Sequence, residues 1–519
     1  MPERHLERGA VELPAAPARG VSGKRAPAAK TRYVFFLLSA LAVLMAAIDS
    51  TIVAVAIPQL TNALNAPLTW VAWTLTAYQL VQVVMLPLAG KLSDSLGRKR
   101  VFMFCVGSFT FGSLLCGLAP SIGFLILFRA LQALGGGGLM PSAVGIVSDE
   151  FKERRAQAIG LFTSVFPIGG IIGPNLGGFI LHNWSWRELF FINVPIGLVV
   201  MVGVQRLLAS SPPAERRVRL DFKGLALFAA AMVALLYGMT ELGNNPEAAG
   251  SPLLWALFVG SVLLFGLFLL HIRSAPEPMV DYQLLVRNPF LAANLYNFLY
   301  GAAAFGFFSF VPYYAVARYG MTPFESGAVL TPRALAMLAV STLASLFVIR
   351  LGYRLPMLLG MFLVVISLLL LSEGWGSLPI DGVTISAFWV MAVIVTISGI
   401  GMGFSAPASN NAALDLAPGK AAALTGLRGM FRQTGGVIAI GAIVLALSFF
   451  PDRAQGMSVI FRVLAGILLL TVPLTWMIPD TARERYLRER QRLQRAAEAR
   501  PRPVLPPTER AHLESPPGS

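Results

Sequence analysis

Fourteen long apolar segments constrain the fold of this 519-residue chain more than any other feature of its sequence. Each runs for roughly 17–27 residues, long enough for a helix that rises ~1.5 Å per residue to cross a hydrocarbon core ~30 Å thick. The pattern predicts an all-α polytopic membrane protein. Its helices are expected near residues 33–60, 70–90, 101–119, 121–145, 157–181, 189–208, 221–240, 252–271, 290–316, 325–349, 355–372, 384–407, 424–448 and 458–478.

The composition favours the same class. Apolar residues make up 56% of the chain and charged residues 13%, too few charges to cover a soluble fold of this length. The net charge of +15 lies in the tails and on one set of loops, which is typical of a cytoplasmic membrane face and not of a nucleic-acid-binding surface. Cys105 and Cys116 lie about 16 Å apart along one helix, so no disulfide is expected. We predict no metal site and no cofactor.

Basic residues orient the predicted helices. If the N terminus is cytoplasmic, an even number of helices places the C terminus there as well. The polar stretch up to Arg32 precedes an apolar run too long for a signal peptide, so we expect a disordered cytoplasmic tail. The cytoplasmic loops and helix ends then include Arg98, Lys99, Arg100, Lys152, Arg154, Arg155, Arg216, Arg217 and Arg219, and the opposite side carries Arg187, Arg318, Arg453 and Arg462.

The loop after the second predicted helix carries a recognisable motif. Its glycines permit a tight reversal of the chain, and its acid lies among cationic and helix-end charges. The spacing resembles motif A of the major facilitator superfamily, G-x-L-x-D-x-x-G-R-[KR], and the resemblance implies that the acid and the arginine latch an inner gate. The matching residues are Gly90, Asp94, Gly97, Arg98 and Lys99.

The partner of Arg98 is implied by the same resemblance. In the family it lies at the cytoplasmic end of the fourth helix, where this chain offers Asp149 or Glu150. The corresponding loop of the second half, residues 349–356, keeps a glycine and an arginine but lacks the acid. This departure argues against a matching second latch.

The fifth predicted helix carries small residues at a fixed spacing. Gly169, Gly173 and Gly177 recur every four residues, so they lie on one face and let a neighbouring helix approach closely. Ordinary helix packing would explain these glycines, but the full spacing matches G-x8-G-x3-G-P-x2-G-G, a motif associated with exporters of the superfamily. The matching residues are Gly160, Gly169, Gly173, Pro174, Gly177 and Gly178.

The string from Trp186 to Gly197 resembles W-R-x-x-F-x-I-N-x-P-x-G of the fourteen-helix drug/proton antiporter family, the EmrB/QacA branch. This resemblance implies the major facilitator fold, with six-helix bundles at 33–208 and 290–478. A linker at 209–289 would insert two extra helices between them. The tails, 1–32 and 479–519, lie outside the resemblance. The second tail is basic, and we expect it to lie on the cytoplasmic membrane surface.

Two charged residues lie deep within predicted helices, where a charge costs several kcal/mol. Asp49 in the first helix and Arg129 in the fourth each lie ~12 Å below the outer boundary, at ~1.5 Å per residue. The resemblance places both helices in one bundle, so we expect the two side chains to meet. Burial and a nearby cation act oppositely on the proton affinity of a carboxyl. We interpret Asp49 as the proton carrier and Arg129 as the residue that tunes it; a static ion pair is the alternative.

Polar residues in mid-helix are candidates for the substrate cavity, although hydrogen bonding between helices also explains them. In the second half, Arg333, Arg428 and Arg432 fit gating or packing better than chemistry. The candidates for the cavity are Tyr78, Gln79 and Gln82 in the second helix and Asn294 and Asn297 in the ninth.

Together these features predict a secondary active transporter that exports amphipathic, drug-like compounds in exchange for protons by alternating access. We expect a monomer in the bacterial inner membrane, whose partners are small-molecule substrates, protons and the bilayer, and not nucleic acid. A narrow exporter of a metabolite, a lipid or a self-made antibiotic is the nearest alternative. A polytopic membrane enzyme would need a cluster of His, Asp or Glu near one interface, which the sequence does not show. The sequence does not indicate a periplasmic adaptor.

Overall fold

The computed structural model describes residues 29–151, 154, 158–159, 161–162, 164–207, 220–380, 383–417, 421–484, 487–488 and 491. Within this part, fourteen helices are long and apolar enough to cross a membrane, which confirms the predicted number. They are α1 (Ala29–Ala63), α2 (Leu68–Val71 and Trp73–Leu96), α3 (Arg98–Gly117), α4 (Ile122–Glu150), α5 (Val165–Asn183), α6 (Glu188–Phe191 and Asn193–Leu207), α7 (Phe222–Asn244), α8 (Pro252–Ser274), α9 (Phe290–Tyr319), α10 (Pro323–Ala328 and Thr331–Leu351), α11 (Arg354–Ser372), α12 (Ala387–Leu416), α13 (Ala421–Ser448) and α14 (Arg453–Leu468 and Thr471–Met477).

Two helix starts differ from the sequence prediction. Helix α5 begins at Val165 and not near 157, because a turn at Ser164 separates it from the helical residues before it. Helix α12 begins at Ala387 and not near 384. A small antiparallel hairpin, β1 (Leu378–Ile380) and β2 (Val383–Ile385), occupies the preceding residues. An apolar run this short does not distinguish strand from helix by its sequence.

The first six helices and the last six pack among themselves. In the first group α1 packs on α5 and α6, and α4 packs on α2 and α3. In the second group α12 packs on α10 and α11, and α9 packs on α13. The two groups meet where α2 packs on α13 and where α5 packs on α10. The domain boundaries drawn from the sequence remain a prediction, and most of both predicted tails lies outside the described residues.

Helix α9 is irregular in its middle. It changes from α-helix to a π-helical turn at Ala302–Gly306 and a 3₁₀ turn at Phe307–Phe310. Such turns often occur at functional sites. Glycines on both helices bring α9 unusually close to α13: Gly301 packs on the Arg432 carbonyl group, and Gly435 packs on the Phe298 carbonyl group. This close approach positions the arginines of α13 beside α9.

The inserted helices α7 and α8 pack on each other, and α7 packs on α13. Asp221 stabilises the base of this hairpin. Its carboxylate accepts hydrogen bonds from the backbone N–H groups of Gly224 and Met279 at 2.8 and 3.0 Å. It also lies 2.7 Å from His271 Nε2. Burial raises the pKa of the Asp221 carboxyl, but these hydrogen bonds and His271 outweigh it and hold the pKa below its usual range. The hairpin is therefore anchored by a carboxylate.

Candidate functional site

Asp49 of α1 and Arg129 of α4 form an ion pair among the first six helices. Arg129 Nη1 lies 2.6 Å from Asp49 Oδ2. Asp49 is 0% exposed and Arg129 is 1% exposed. The two side chains thus meet as the sequence led us to expect. Because two buried charges lose their hydration, the pair needs further hydrogen bonds to satisfy its remaining donors and acceptors.

Three polar side chains supply those hydrogen bonds. Gln132 Nε2 and Asn193 Nδ2 both donate to Asp49 Oδ1, at 2.9 and 3.1 Å. Ser113 Oγ accepts from the same two amides at 2.6 and 3.2 Å. The Gln132 side-chain oxygen in turn accepts from Arg129 Nη1 at 2.6 Å. Every hydrogen bond that Asp49 receives from the described residues comes from an N–H group, an arrangement that suits the charged carboxylate.

The Arg129 guanidinium is enclosed by α2 and α6. Its Nε donates to the Thr74 carbonyl oxygen at 3.1 Å. Its Cζ lies 3.9 Å from the centre of the Tyr78 ring and 5.7 Å from that of Phe190, distances at which a cation is attracted to an aromatic face. Tyr78, a candidate for the substrate cavity, is therefore part of this buried cluster.

Sequence reasoning named the two charges but not the amides that bind them. Gln132 lies one helical turn after Arg129, a spacing that places both side chains on one face of α4. Asn193 lies in the string from Trp186 to Gly197, where its motif position was the available signal. Ser113 offered no signal, because a serine in an apolar helix usually bonds to its own backbone.

The glycine face of α5 packs directly on α1. A side chain at Gly173 would clash with the Thr51 hydroxyl group and lie 2.9 Å from the Ile48 carbonyl oxygen. By contrast, a Cβ at Gly170 would meet nothing within 4 Å. The close contact is thus confined to one face of α5. On that face, Gly169, Gly173 and Gly177 pack on Ala47, Thr51 and Ile52, respectively.

A second part of the α5 motif contacts the other half of the molecule. Gly178 packs on the start of α10, where its Cβ would lie 2.9 Å from the Phe324 Cα atom. Reciprocally, Gly327 of α10 packs on the Pro174 carbonyl group. The motif therefore lies between α1, which carries Asp49, and α10. Gly160, the first glycine of the motif, lies outside the described residues.

The loop between α2 and α3 turns at Gly97, whose φ of +97° disfavours any residue with a side chain. Arg98 follows and reaches the end of α4: its Nε lies 2.9 Å from Asp149 Oδ2, and its Nη1 donates to the Gly145 carbonyl oxygen. Lys99 Nζ donates to the Gln205 carbonyl oxygen of α6 at 3.1 Å. The loop thus contacts both α4 and α6.

Between the two expected partners of Arg98, the structure brings Asp149 into contact. Glu150 lies 4.0 Å from Arg32 of α1 instead. The side chain of Asp94 lies outside the described part of the structure. A Cβ at Gly90 would meet nothing within 4 Å, so this position lies in open space.

The loop between α10 and α11 obtains its acid from elsewhere in the chain. Asp480, which follows α14, accepts a hydrogen bond from the Tyr353 backbone N–H group at 2.7 Å. A side chain at Gly352, whose φ is +76°, would lie 2.5 Å from the same carboxylate. Arg354 Nε donates to the Ile478 carbonyl oxygen at 3.0 Å. The loop's own sequence lacks an acid, but the Asp480 carboxylate from a later part of the chain lies beside the loop.

The remaining cavity candidates divide into two groups. Gln82 accepts a hydrogen bond from Gln433 of α13 at 3.1 Å, which joins the two halves. Gln79, one turn earlier, has a buried side-chain oxygen without a hydrogen-bond partner among the described residues. Asn294 donates to the Leu284 carbonyl oxygen at 3.0 Å and is 2% exposed, a packing contact. Asn297 donates a hydrogen bond to the Arg428 carbonyl oxygen of α13 and accepts one from the Arg428 side chain.

Comparisons with known proteins agree with this architecture. A sequence model described as the Major Facilitator Superfamily matches residues 39–331 and again 293–513. Multidrug resistance protein 3 of Bacillus subtilis (strain 168) is 33% identical over 378 residues, which cover 73% of this chain and 72% of that protein. The methylenomycin A resistance protein of Streptomyces coelicolor is 30% identical over 474 residues, which cover 90% of this chain and 94% of that protein.

A solved structure shows the same fold. It is a bacterial homologue of the human lysosomal transporter Spinster, in an inward-facing and unoccupied conformation, with a TM-score of 0.61 and 16% identity. The match covers 89% of this chain and 98% of that one. This chain therefore belongs to the major facilitator superfamily of multi-pass membrane transporters.

Proposed function

We propose that this protein exports amphipathic, drug-like small molecules in exchange for protons. One observation carries the proposal: Asp49, at 0% exposed, is the only acidic residue that is buried as a whole among the described residues, and its partner is an arginine. An ionisable residue at membrane depth marks a proton or substrate pathway in many transporters. The names of the two relatives, multidrug resistance and methylenomycin A resistance, support an exporter of drug-like compounds.

The hydrogen bonds of Asp49 suggest how a proton would be coupled to movement. Three N–H donors from α4 and α6 converge on the carboxylate of α1. Protonation removes the charge that Arg129 faces, so it weakens the contact between α1 and these helices. A proton therefore favours the arrangement in which the helices separate, and its differential affinity for two arrangements is what shifts their equilibrium.

Helix α5 provides the route from Asp49 to the other half. Its glycine face packs on α1 beside Asp49, and Gly178 packs on α10. Because side chains are absent from this face, α1 and α5 are expected to move together. A shift of α1 would then alter the α5–α10 contact between the two halves, as alternating access requires.

We place the protein in the bacterial inner membrane with both termini in the cytoplasm, as a monomer without a cofactor. The positive-inside rule supports this orientation, since Arg98, Lys99 and Arg100 lie in one loop. A cytoplasmic reporter fused after Asn245 should be inactive, whereas one fused after Pro276 should be active. Activity at Asn245 would contradict the orientation.

Narrow export of one antibiotic is a second candidate function. It is favoured by the relative that is named for a single compound and that matches 90% of this chain. A panel of amphipathic dyes and antibiotics of both charges, tested for efflux from cells with and without a protonophore, separates the candidates. Movement of several unrelated compounds supports the broad exporter, and movement of one supports the narrow one.

The role of Asp49 is tested with the purified protein in proteoliposomes. Asp49→Asn preserves size but cannot carry a proton, so uptake driven by a pH gradient should be lost while substrate-for-substrate exchange survives. Glu373→Gln, which changes an acid that is 53% exposed, is the matched control and should transport normally. If Asp49 only pairs with Arg129, the double variant Asp49→Asn with Arg129→Gln should recover both expression and coupling. Coupled transport by that well-folded double variant would exclude Asp49 as the proton carrier.

A further inference from the structure

The second half of the molecule contains three arginines within its membrane-spanning helices. Arg333 lies in α10, and Arg428 and Arg432 lie one turn apart in α13. All three side chains contact α9: Arg333 lies over the Phe308 ring, Arg432 lies over the Phe305 ring, and Arg428 hydrogen bonds to Asn297. Arg333 lies ten residues after Pro323, about 15 Å along the helix at ~1.5 Å per residue, which is near the middle of the membrane.

Arg428 is bound by neutral side chains alone. Its Nη1 donates to Asn410 Oδ1 at 2.7 Å, and its Nη2 donates to Ser409 Oγ at 3.1 Å and to Asn297 Oδ1 at 3.4 Å. It is 7% exposed, and its Nε is buried without a hydrogen-bond partner among the described residues. Neutral amides orient a guanidinium but leave its charge uncompensated.

Arg333 and Arg432 have still weaker partners. Arg333 Nη2 lies 3.0 Å from Met402 Sδ, a poor acceptor, and its Cζ lies 3.6 Å from the centre of the Phe308 ring. Arg432 Cζ lies 5.4 Å from the centre of the Phe305 ring. The Nε atoms of both arginines are buried without a hydrogen-bond partner among the described residues. Aromatic faces attract a cation but do not neutralise it.

No carboxylate in the described part of the chain lies within ion-pair distance of these three arginines. An isolated cation in the membrane interior is costly, and such residues usually face a partner or a pathway. The cluster thus consists of cations that are held in place by neutral groups, without a counter-ion among the described residues.

The cluster lies beside the boundary between the two halves. Gln433, next to Arg432, hydrogen bonds to Gln82 of α2, and Arg333 lies in α10, the helix that packs on α5. The buried Gln79 oxygen without a partner faces Gly436, one turn further along α13. Movement of the halves would therefore open and close access to the arginines.

We propose that the arginine cluster of Arg333, Arg428 and Arg432 binds the negatively charged group of an anionic amphipathic substrate. This inference rests on the proposed export function and gives it a substrate class. A carboxylate, sulfonate or phenolate provides the acceptors that guanidinium groups bind in pairs of hydrogen bonds. Phe308 and Phe305, whose rings lie against Arg333 and Arg432, would contact the apolar part of the same molecule.

Fluorescein and rhodamine 123 test the inference, because they share a xanthene ring and differ in charge. Binding of each dye to the purified full-length protein is measured by fluorescence polarisation. The anion fluorescein should bind, and rhodamine 123 should neither bind at this site nor compete. Arg333→Gln and Arg432→Gln should each weaken fluorescein binding about tenfold or more, the loss expected for a charged hydrogen bond.

Two controls separate binding from folding. Arg462→Gln changes an arginine that is 56% exposed and should leave fluorescein binding unchanged. Arg432→Lys keeps the charge and should retain part of the affinity. Without ligand, Arg432→Gln should unfold at the same temperature as the native protein or higher, since it removes an uncompensated cation. A merely structural arginine would instead lower that temperature and leave fluorescein affinity unchanged in the folded fraction.

The outcomes distinguish this inference from the proposed function. The inference would be overturned if Arg333→Gln and Arg432→Gln both left fluorescein binding unchanged. It would also be overturned if rhodamine 123 bound in place of fluorescein. Transport of rhodamine 123 but not fluorescein under a pH gradient would do the same and leave proton-coupled export standing. Arginine-dependent fluorescein binding without any movement under a pH gradient would overturn proton coupling and support the anion site.

Discussion

The two halves of this transporter differ in whether the arginines of their membrane-spanning helices are paired with a carboxylate. In the first half Arg129 faces Asp49 at 2.6 Å, with Gln132 completing the hydrogen bonds. In the second half Arg333 and Arg428 have no carboxylate partner among the described residues. The charges of the first cluster balance each other without a ligand. The arginines of the second cluster have no counter-charge among the described residues. The difference suggests a division of roles, with the proton handled in the first half and the substrate in the second.

The largest expected effect is on stability, and it contrasts Arg129 with Arg432. Arg129→Gln leaves the Asp49 carboxylate buried without its cation, a loss of up to about 3–5 kcal/mol. Arg432→Gln removes a cation that has no counter-ion in the described part of the chain, so the stability of this variant should be unchanged or raised. Thermal unfolding of the two purified variants in the same detergent measures the contrast.

The double variant Asp49→Asn with Arg129→Gln is the control for this contrast. It removes both charges, so it should unfold at a higher temperature than Arg129→Gln alone. Equal destabilisation by Arg129→Gln and Arg432→Gln would mean that the second cluster has a counter-charge of its own. The contrast between the halves would then be wrong.

A smaller effect concerns the helix contact that supports Asp49. Gly173→Val places a branched side chain against Thr51 and the Ile48 carbonyl group, and such overpacking costs typically about 1–3 kcal/mol. We expect a membrane-inserted protein with little pH-driven transport. Fluorescein binding at the second cluster should persist, because the atoms nearest to a side chain at position 173 belong to α1.

Gly170→Val is the matched control, since a Cβ there meets nothing within 4 Å. It introduces the same residue into the same helix and should preserve transport. In the second half, Gly435→Val would press on the Phe298 carbonyl group and should weaken fluorescein binding. Normal transport by Gly173→Val would show that the α1–α5 contact is looser than the structure indicates.

Much of this arrangement was accessible from the sequence, for identifiable reasons. The helices follow from the length of the apolar segments, and Asp49 and Arg129 stand out because charges are rare in such segments. That Arg333, Arg428 and Arg432 meet no carboxylate among the described residues was not accessible. Whether an arginine meets a carboxylate depends on the rotation of each helix against its neighbours, which one sequence does not reveal. The interpretation of these three as gating or packing residues stays a prediction beside the proposed anion site.

Long-range contacts were equally beyond the sequence. Asp480 lies 127 residues after Tyr353, whose backbone it binds, and only the fold brings them together. The hairpin of β1 and β2 and the π-helical turn of α9 are likewise set by packing rather than by local pattern. By contrast, Gln132 was within reach, because its spacing from Arg129 places both on one helix face.

The smallest expected effects concern the loop between α2 and α3 and the loop between α10 and α11, where the two halves differ again. In the first half Arg98 reaches Asp149 at 2.9 Å, and their side chains are 25% and 51% exposed. A pair this exposed is worth about 1 kcal/mol or less, so Arg98→Asp should reduce transport without unfolding the protein. Adding Asp149→Arg should restore part of the transport rate in proteoliposomes.

The second-half loop should respond differently because Asp480 binds a backbone N–H group and not an arginine side chain. Asp480→Asn keeps an oxygen that can accept the Tyr353 hydrogen bond, so transport should change less than with Arg98→Asp. Asp480→Leu removes the side chain that accepts the hydrogen bond of the Tyr353 N–H group, and loss of such a bond typically costs about 1–3 kcal/mol if no water replaces it. Its effect should therefore fall on thermal stability first. If Asp480→Asn impaired transport as much as Arg98→Asp, the negative charge of Asp480 would itself be needed for transport. The second half would then depend on a charged contact in this loop, as the first half does.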